Sequence, residues 1–230
     1  MRLVVVDTET TGLTEADQVV EVAAVLLVDG VVESRMTTLV RPTVPVQVLA
    51  RAAHHITDAE LAGAPPASEV ARWLPDADVF VAHNAEFDRR MLVQSGLTAL
   101  PPLTLCTYRA ALHLFPDAPG WSNQALRYYL ELDVRLDGPP HRALPDATVT
   151  AAILQRMLAM RPVDELVALR TTPLLLKTCR LPKHRDKAWE SVPSDYMEWV
   201  LGAKPPFDDD TRYTCQHWLD ERKRRHDALP

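Results

Sequence analysis

The sequence holds little cysteine, and what it holds is scattered. Cys106, Cys179 and Cys215 are the three in 230 residues. The number is odd and no CxxC pair exists, which argues against a disulfide framework and against a thiolate zinc site. Each is expected to be a small buried apolar residue in a protein of the reducing cytoplasm. Long hydrophobic runs are missing too. The longest, such as residues 22–28, are far too short to cross a bilayer, and no membrane partner is expected. The start of the chain has no small-residue cleavage site after its first apolar run, so no signal peptide is expected. Repeats and low-complexity tracts are absent.

Positive charge is scarce overall, with a formal net charge of −6. Its distribution is uneven. Residues 1–160 carry 12 basic and 19 acidic side chains, whereas residues 161–230 carry 13 and 12. Bound divalent cations would offset part of the N-terminal negative charge. A nucleic-acid partner is therefore compatible with the composition, provided that the grip on its backbone is local.

Hydrophobic patterning predicts an α/β fold with a mixed sheet flanked by helices and a small C-terminal extension. Residues 3–6 read as a buried strand, 19–29 and 31–40 as a hairpin around Asp29-Gly30, 79–82 and 103–107 as further strands. Helices are expected over 67–74, from 85 to about 94 with Asn84 as cap, on to 115, from Ser122 to about 132, and from about 145 to 160. Arg161-Pro162 marks a boundary between residues 1–160 and a region 161–230, which contains a short helix and helix candidates at 194–201 and 208–225.

Four carboxylates stand out. Asp7 and Glu9 lie two residues apart at the end of the first strand, so both point to one face. Such a pair is unfavourable without a cation or a proton between them. Asp88 shares a helix stripe with Met91 and Leu92, and Asp146 one with Val149 and Ile153, so each is an acid on a face that should be apolar. Taken singly, each has an ordinary explanation: a solvated strand end, or an acid favoured by a helix dipole. Together they come from three elements and form a set of hard oxygen donors suited to Mg²⁺ or Mn²⁺. Two such ions about 3.5–4 Å apart make a phosphoryl-transfer clamp. His141, in the loop before Asp146, is either a surface residue or a group able to swing between a reacting water and solvent.

The strings VVDTETTGL, HHITDAEL, VAHNAEFDRRML and HRALPDA occur in this order, spanning roughly residues 3–155. As a set they resemble the motifs of the DEDDh exonuclease superfamily. That resemblance implies a ribonuclease H-like domain over residues 1–160, two divalent cations held by Asp7, Glu9, Asp88 and Asp146, and His141 as general base. It also implies release of 5′-mononucleotides from the 3′ ends of single-stranded or duplex DNA. The direction of digestion comes from the resemblance alone. The segment PKHRDKAWESVPSDYMEWVL resembles a basic C-terminal motif of the superfamily's exodeoxyribonucleases, with Pro182 and Asp186 where that motif usually has glycines.

Thr10, Gly12, Leu13, His83 and Phe87 in these motifs are substrate-binding candidates, as is Asn123 in the stretch WSNQALRYYLEL, which resembles the superfamily's exodeoxyribonucleases. Leu13 is either an apolar wedge against terminal bases or a core leucine. Phe87 either stacks a base or packs in the core, and His83-Asn84 either holds a phosphate or caps its helix. Lys183, Arg185 and Lys187 belong to the densest basic cluster, which is either a solvated loop or, with Trp189 nearby, a DNA contact. Three alternatives stand beside a freestanding monomeric exodeoxyribonuclease: an exoribonuclease of the same superfamily, a proofreading subunit docked to a polymerase, and an inactive DNA-binding relic.

Overall fold

A computed structural model of the protein describes residues 1–70 and 74–227. Two compact units are present, Met1–Arg170 and Thr171–Pro230.

The first unit is organised by a five-stranded sheet in the order β3-β2-β1-β4-β5, formed by β1 (Arg2–Thr10), β2 (Val19–Val28), β3 (Val31–Leu39), β4 (Val79–Ala82) and β5 (Leu103–Cys106). β1 pairs antiparallel with β2 and parallel with β4. Its side chains alternate between two cores. Leu3 and Val5 face Val149 and Ile153 of α7 (Ala143–Leu158), whereas Val4 and Val6 face Met91 and Leu92 of α4 (Ala85–Gln94). With helices on both faces the central strands are covered on both sides, so β2 is an almost unbroken Val/Ala/Leu run. Asp29 and Gly30 both take positive φ, 48° and 82°, as a tight hairpin turn requires.

β1 runs through Asp7 and Glu9 to Thr10, further than the apolar run 3–6 alone predicts, because β2 continues to pair with it. β4 ends at Ala82, and the chain leaves the sheet through His83-Asn84 into α4. Asn84 precedes that helix in the left-handed region (φ 74°) with no side-chain capping bond. It permits the sharp entry, which asparagine tolerates, rather than capping as expected. Sequence patterning misses α1 (Val48–His54) and α2 (Asp58–Leu61). A local signal for the second exists: Thr57 and Glu60 form a capping box. The helix expected over 67–74 is seen as α3 (Ala67–Val70), and residues 71–73 lie outside the described residues. α5 (Thr107–Leu114), α6 (Asn123–Tyr129) and α8 (Val163–Ala168) complete the unit. Leu166 of α8 is buried in the same core as α7, so the first unit runs to Arg170 and not to residue 160.

The second unit is built on Trp189, Cys179, Cys215, Val192, Met197 and Val200, with α9 (Ser194–Gly202) and α10 (Asp209–Asp227). Trp189 is 1% exposed. It belongs to this small core and is out of reach of a nucleic acid, so its place beside the basic cluster does not favour a DNA contact there over a solvated loop.

Candidate active site

Period-two geometry turns Asp7 and Glu9 to the α7 face of β1, where Asp146 enters from the first turn of α7. One carboxylate oxygen from each of the three can be chosen so that all lie within 4.8 Å of one another. Burial pushes the Asp7 carboxyl well above its ordinary range, and the charges of Asp88, Asp146 and Glu9 push it further. Glu9 is pushed up to about 8, by burial and then by Asp146 and Glu21. Asp146 is raised by burial, an effect partly reversed by the His141 backbone N–H, which donates to Oδ2 at 2.8 Å. A site in which carboxylates hold protons this firmly lacks positive charge. Hard oxygen donors in excess of their local cations fit a divalent metal ion.

Asp88 stands beside this trio but outside it. It is 3% exposed, and its Oδ1 accepts hydrogen bonds from the Thr8 N–H (3.0 Å) and hydroxyl (2.8 Å). Burial raises its carboxyl, with the two Thr8 bonds acting in the opposite sense. Its closeness to Asp7 follows from register. Val5 pairs with Val81, and β4 ends one residue later. α4 can therefore return its first turn to the end of β1.

His141 is exposed and takes a positive φ of 61°, a conformation in which histidine is enriched. Its backbone N–H fixes Asp146, so the loop and the helix terminus hold each other. The next residue carries a feature that sequence reasoning missed. Arg142 binds Glu21 with two charge-assisted bonds, Nε to Oε2 at 2.9 Å and Nη2 to Oε1 at 2.7 Å, and the Ala143 N–H donates to Oε2 at 3.0 Å. Glu21 is the cross-strand partner of Glu9. Like charges in that relation repel, and Arg142 offsets the repulsion while anchoring the α7 N-terminus. The only trace in the sequence was an acid inside an apolar strand.

Beside the carboxylates lies a cleft of about 330 Å³ lined by Glu9, Thr10, Gly12, Leu13, Gln47, Leu49, His54 and Phe87, among others. Leu13 is 74% exposed at its rim, which rules out the core reading. Phe87 is half-buried, with the Arg90 guanidinium 5.5 Å above its ring. Thr10 lines the cleft, but its hydroxyl is committed to the Gly12 carbonyl at 2.7 Å. A Cβ on Gly12 would lie 2.6 Å from Gln47 Cδ and 2.7 Å from Asp17 Oδ1, so a larger residue there would have to displace these two side chains. Asp17, a second missed residue, holds this turn by accepting from Thr11 Oγ1, Thr14 N and Thr14 Oγ1. Burial opposes its ionisation, yet the bonds from Thr14, Thr11 and Gln47 bring its carboxyl below the ordinary value. His54 is buried, accepts from Ile56 N at Nδ1 and meets the Thr10 carbonyl through Nε2 at 3.3 Å.

Two expected substrate residues are engaged elsewhere. His83 has both ring nitrogens occupied, by Thr107 Oγ1 (3.0 Å) and the Trp121 carbonyl (2.7 Å). Burial lowers it to about 4. A neutral, fully bonded imidazole is not a phosphate ligand. Asn123 Oδ1 accepts from Thr150 Oγ1 at 3.1 Å and braces α6 against α7. Lys183, Arg185 and Lys187 lie in the second unit, all exposed.

Comparison with known proteins agrees with this architecture. The RNase_T family, described as Exonuclease, matches residues 4–154. Exodeoxyribonuclease 10 of Escherichia coli strain K12 is 33% identical over 225 residues, covering 94% of this chain and 98% of that protein. A DNA polymerase III subunit epsilon-like protein of Rhodobacter capsulatus is 37% identical over 169 residues, 69% of this chain and 24% of that protein. A structure of exonuclease X in complex with 5′ overhanging duplex DNA superposes with a TM-score of 0.66 at 35% identity, covering 73% of this chain and 98% of that one. The nuclease domain of 3′hExo, a DEDDh family member, shares the fold with a TM-score of 0.57 at 19% identity, covering 69% and 92%. The chain belongs to the exonuclease family. It has the ribonuclease H-like fold of the DEDDh superfamily and is by that membership a hydrolytic 3′–5′ exonuclease. Among the described residues no helix is long and apolar enough to cross a membrane.

Proposed function

We propose that this exonuclease is a Mg²⁺- or Mn²⁺-dependent exodeoxyribonuclease that removes 5′-mononucleotides from DNA 3′ ends. The observation that carries the reading is the trio Asp7, Glu9 and Asp146, with donor oxygens within 4.8 Å of one another and carboxyls raised for want of a cation. DNA as substrate is supported by similarity to Exodeoxyribonuclease 10 along almost the whole chain.

In this reading Asp7, Glu9, Asp88 and Asp146 hold the metal ions. Two bound divalent ions would polarise the scissile phosphate and neutralise charge on the attacking and leaving oxygens. The chain's own residues do the rest. His141, exposed beside Asp146, takes the proton of the attacking water. Leu13 and Phe87 seat the terminal base in the apolar cleft, and the Gly12 turn lets the backbone approach it. The Arg142–Glu21 pair keeps His141 and Asp146 in register with β1. Lys183, Arg185 and Lys187 contact DNA phosphates. All five catalytic positions come from one chain, so a monomer suffices, and its three free buried cysteines accord with a cytoplasmic setting.

Digestion of matched DNA and RNA oligonucleotides, with Mg²⁺, with Mn²⁺ and with chelator, tests the proposal. Stepwise shortening of DNA from the 3′ end into 5′-mononucleotides, halted by chelator, is expected. Preferential loss of RNA, or full activity in chelator, would overturn it.

A further inference from the structure

The second unit presents a surface that the chemistry at β1 does not use. α9 turns Met197 and Val200 into the core of its unit, packs the partly buried Tyr196 against that core and leaves Trp199 outside it. Trp199 is 56% exposed. Its ring stacks on Tyr196 with centroids 5.3 Å apart and an interplanar angle of 27°, and its edge meets Phe207 at 5.7 Å. His184 closes the other end of the row at 4.6 Å from Tyr196. The Lys183 ammonium lies 5.4 Å from the Tyr196 ring centroid. Pro182, Lys183, Asp195, Tyr196 and Trp199 line an open groove of about 480 Å³.

Two features indicate what the groove takes. Trp199, an indole more than half in water and backed by the partly buried Tyr196 and Phe207, marks a binding surface. Lys183 lines the groove, and among the described residues none of Lys183, Arg185 and Lys187 pairs with a carboxylate, the Lys187 ammonium lying 3.4 Å from His184 Nδ1. The acid in the groove, Asp195, is directed to its own helix, where Oδ1 accepts from the Tyr196 N–H at 2.8 Å. Flat rings open on one side, with unpaired positive charge beside them, match a base together with its phosphate. A peptide partner would be selected by the rings but leaves the three cations unexplained.

We infer that Trp199, backed by Tyr196, is a stacking platform for an unpaired base of a single nucleic-acid strand, with Lys183 and its basic neighbours holding the adjoining phosphates. This extends the proposed function, since it supposes a nucleic-acid substrate, and gives the second unit a binding role separate from hydrolysis.

The test is binding of the full chain, in chelator so that no hydrolysis occurs, to a fluorescently labelled oligodeoxythymidine. Trp199→Leu keeps apolar contact with Tyr196 and Phe207 but has no π face, whereas Trp199→Phe keeps one. Stacking on one base predicts a loss of roughly tenfold in affinity for the leucine variant, with most of the affinity retained by phenylalanine. The leucine deficit should be similar at low and high salt. Changing Lys183, Arg185 and Lys187 together to alanine should instead flatten the slope of log affinity against log salt by about two, at roughly 0.7 per phosphate. A thermal melt of each variant guards against unfolding. Wild-type affinity in the leucine variant, or equal loss in the leucine and phenylalanine variants with unchanged melts, would overturn the inference. Failure of the wild type to digest DNA would overturn the proposed function instead, and the binding comparison reads independently of it.

Discussion

Arg142 grips Glu21 across the first unit, side chain to side chain, at 2.7 and 2.9 Å. The pair joins the start of β2 to the residue between His141 and Ala143. Glu21 is 4% exposed, while the Arg142 side chain keeps 34% of its surface in water. Removing the arginine strands a buried carboxylate opposite Glu9. Arg142→Ala is therefore expected to cost about 2–4 kcal/mol of stability, at or below the range for breaking a buried pair because one partner is part-exposed. Glu21→Gln should cost less, and the double variant less than Arg142→Ala alone. Denaturant titration of the three variants checks that order. Arg142→Lys, lacking the fork, should restore stability only in part.

Metal and pH act together at the carboxylates. Glu9 sits at about 8 in the folded chain against an ordinary 4.5. Because the folded state binds this proton more tightly, its contribution to stability is complete below pH 4.5 and is lost as pH rises toward 8. Asp7 and Asp146 are raised as well and act with the same sign. In chelator the melting temperature should fall over this window. Saturating Mg²⁺ or Mn²⁺ should abolish the fall, adding about 2.7 kcal/mol at a hundredfold excess over its dissociation constant. Asp7→Asn should end turnover yet melt higher in chelator, by about 2–4 °C per kcal/mol of repulsion relieved. A lower melt for Asp7→Asn would contradict this account.

The hydrogen bond that His141 gives Asp146 comes from its backbone N–H, and its side chain adds only a charge interaction, so the side chain can be replaced without removing that bond to the helix. At φ 61° alanine would add backbone strain, but asparagine tolerates the left-handed region. His141→Asn is expected to lower kcat by about 10²–10⁴-fold, the range for a lost general base, with KM and melting temperature near wild type. An unchanged kcat would remove His141 from the chemistry.

His83 acts with the opposite sign from the carboxylates. Burial places it at about 4 in the folded chain against 6.5. The unfolded chain binds this proton more readily, so the contribution is present above pH 6.5 and is lost as pH falls toward 4. The slope reaches about 1.4 kcal/mol per pH unit. His83→Gln, which keeps a donor for the Trp121 carbonyl, should flatten the acid side of the stability profile. If the profile were unaltered, His83 would already be titrating normally in the folded chain.

Local pattern was sufficient for much of this molecule. Strand periodicity placed Asp7 and Glu9 on one face, and helix periodicity placed Asp88 and Asp146 on stripes that should have been apolar. Both relations hold within one element, where spacing along the chain sets direction. The hairpin at Asp29-Gly30 was legible for the same reason, since its turn is four residues long. What periodicity could not supply was which elements meet. The separation of Asp88 from the trio depends on where β4 stops relative to β1, a matter of register between strands more than seventy residues apart. Trp189 and Trp199 are ten residues apart in the stretch that follows the basic cluster, and only tertiary packing decides that the first is core and the second exposed. His83 could be read as a phosphate ligand until Thr107 and Trp121 arrived from other elements and used both its nitrogens. Glu21 and Arg142 carry no shared signal along the chain. Their charges are paired only because β2 and the N-terminus of α7 are brought together by burial of the apolar face between them.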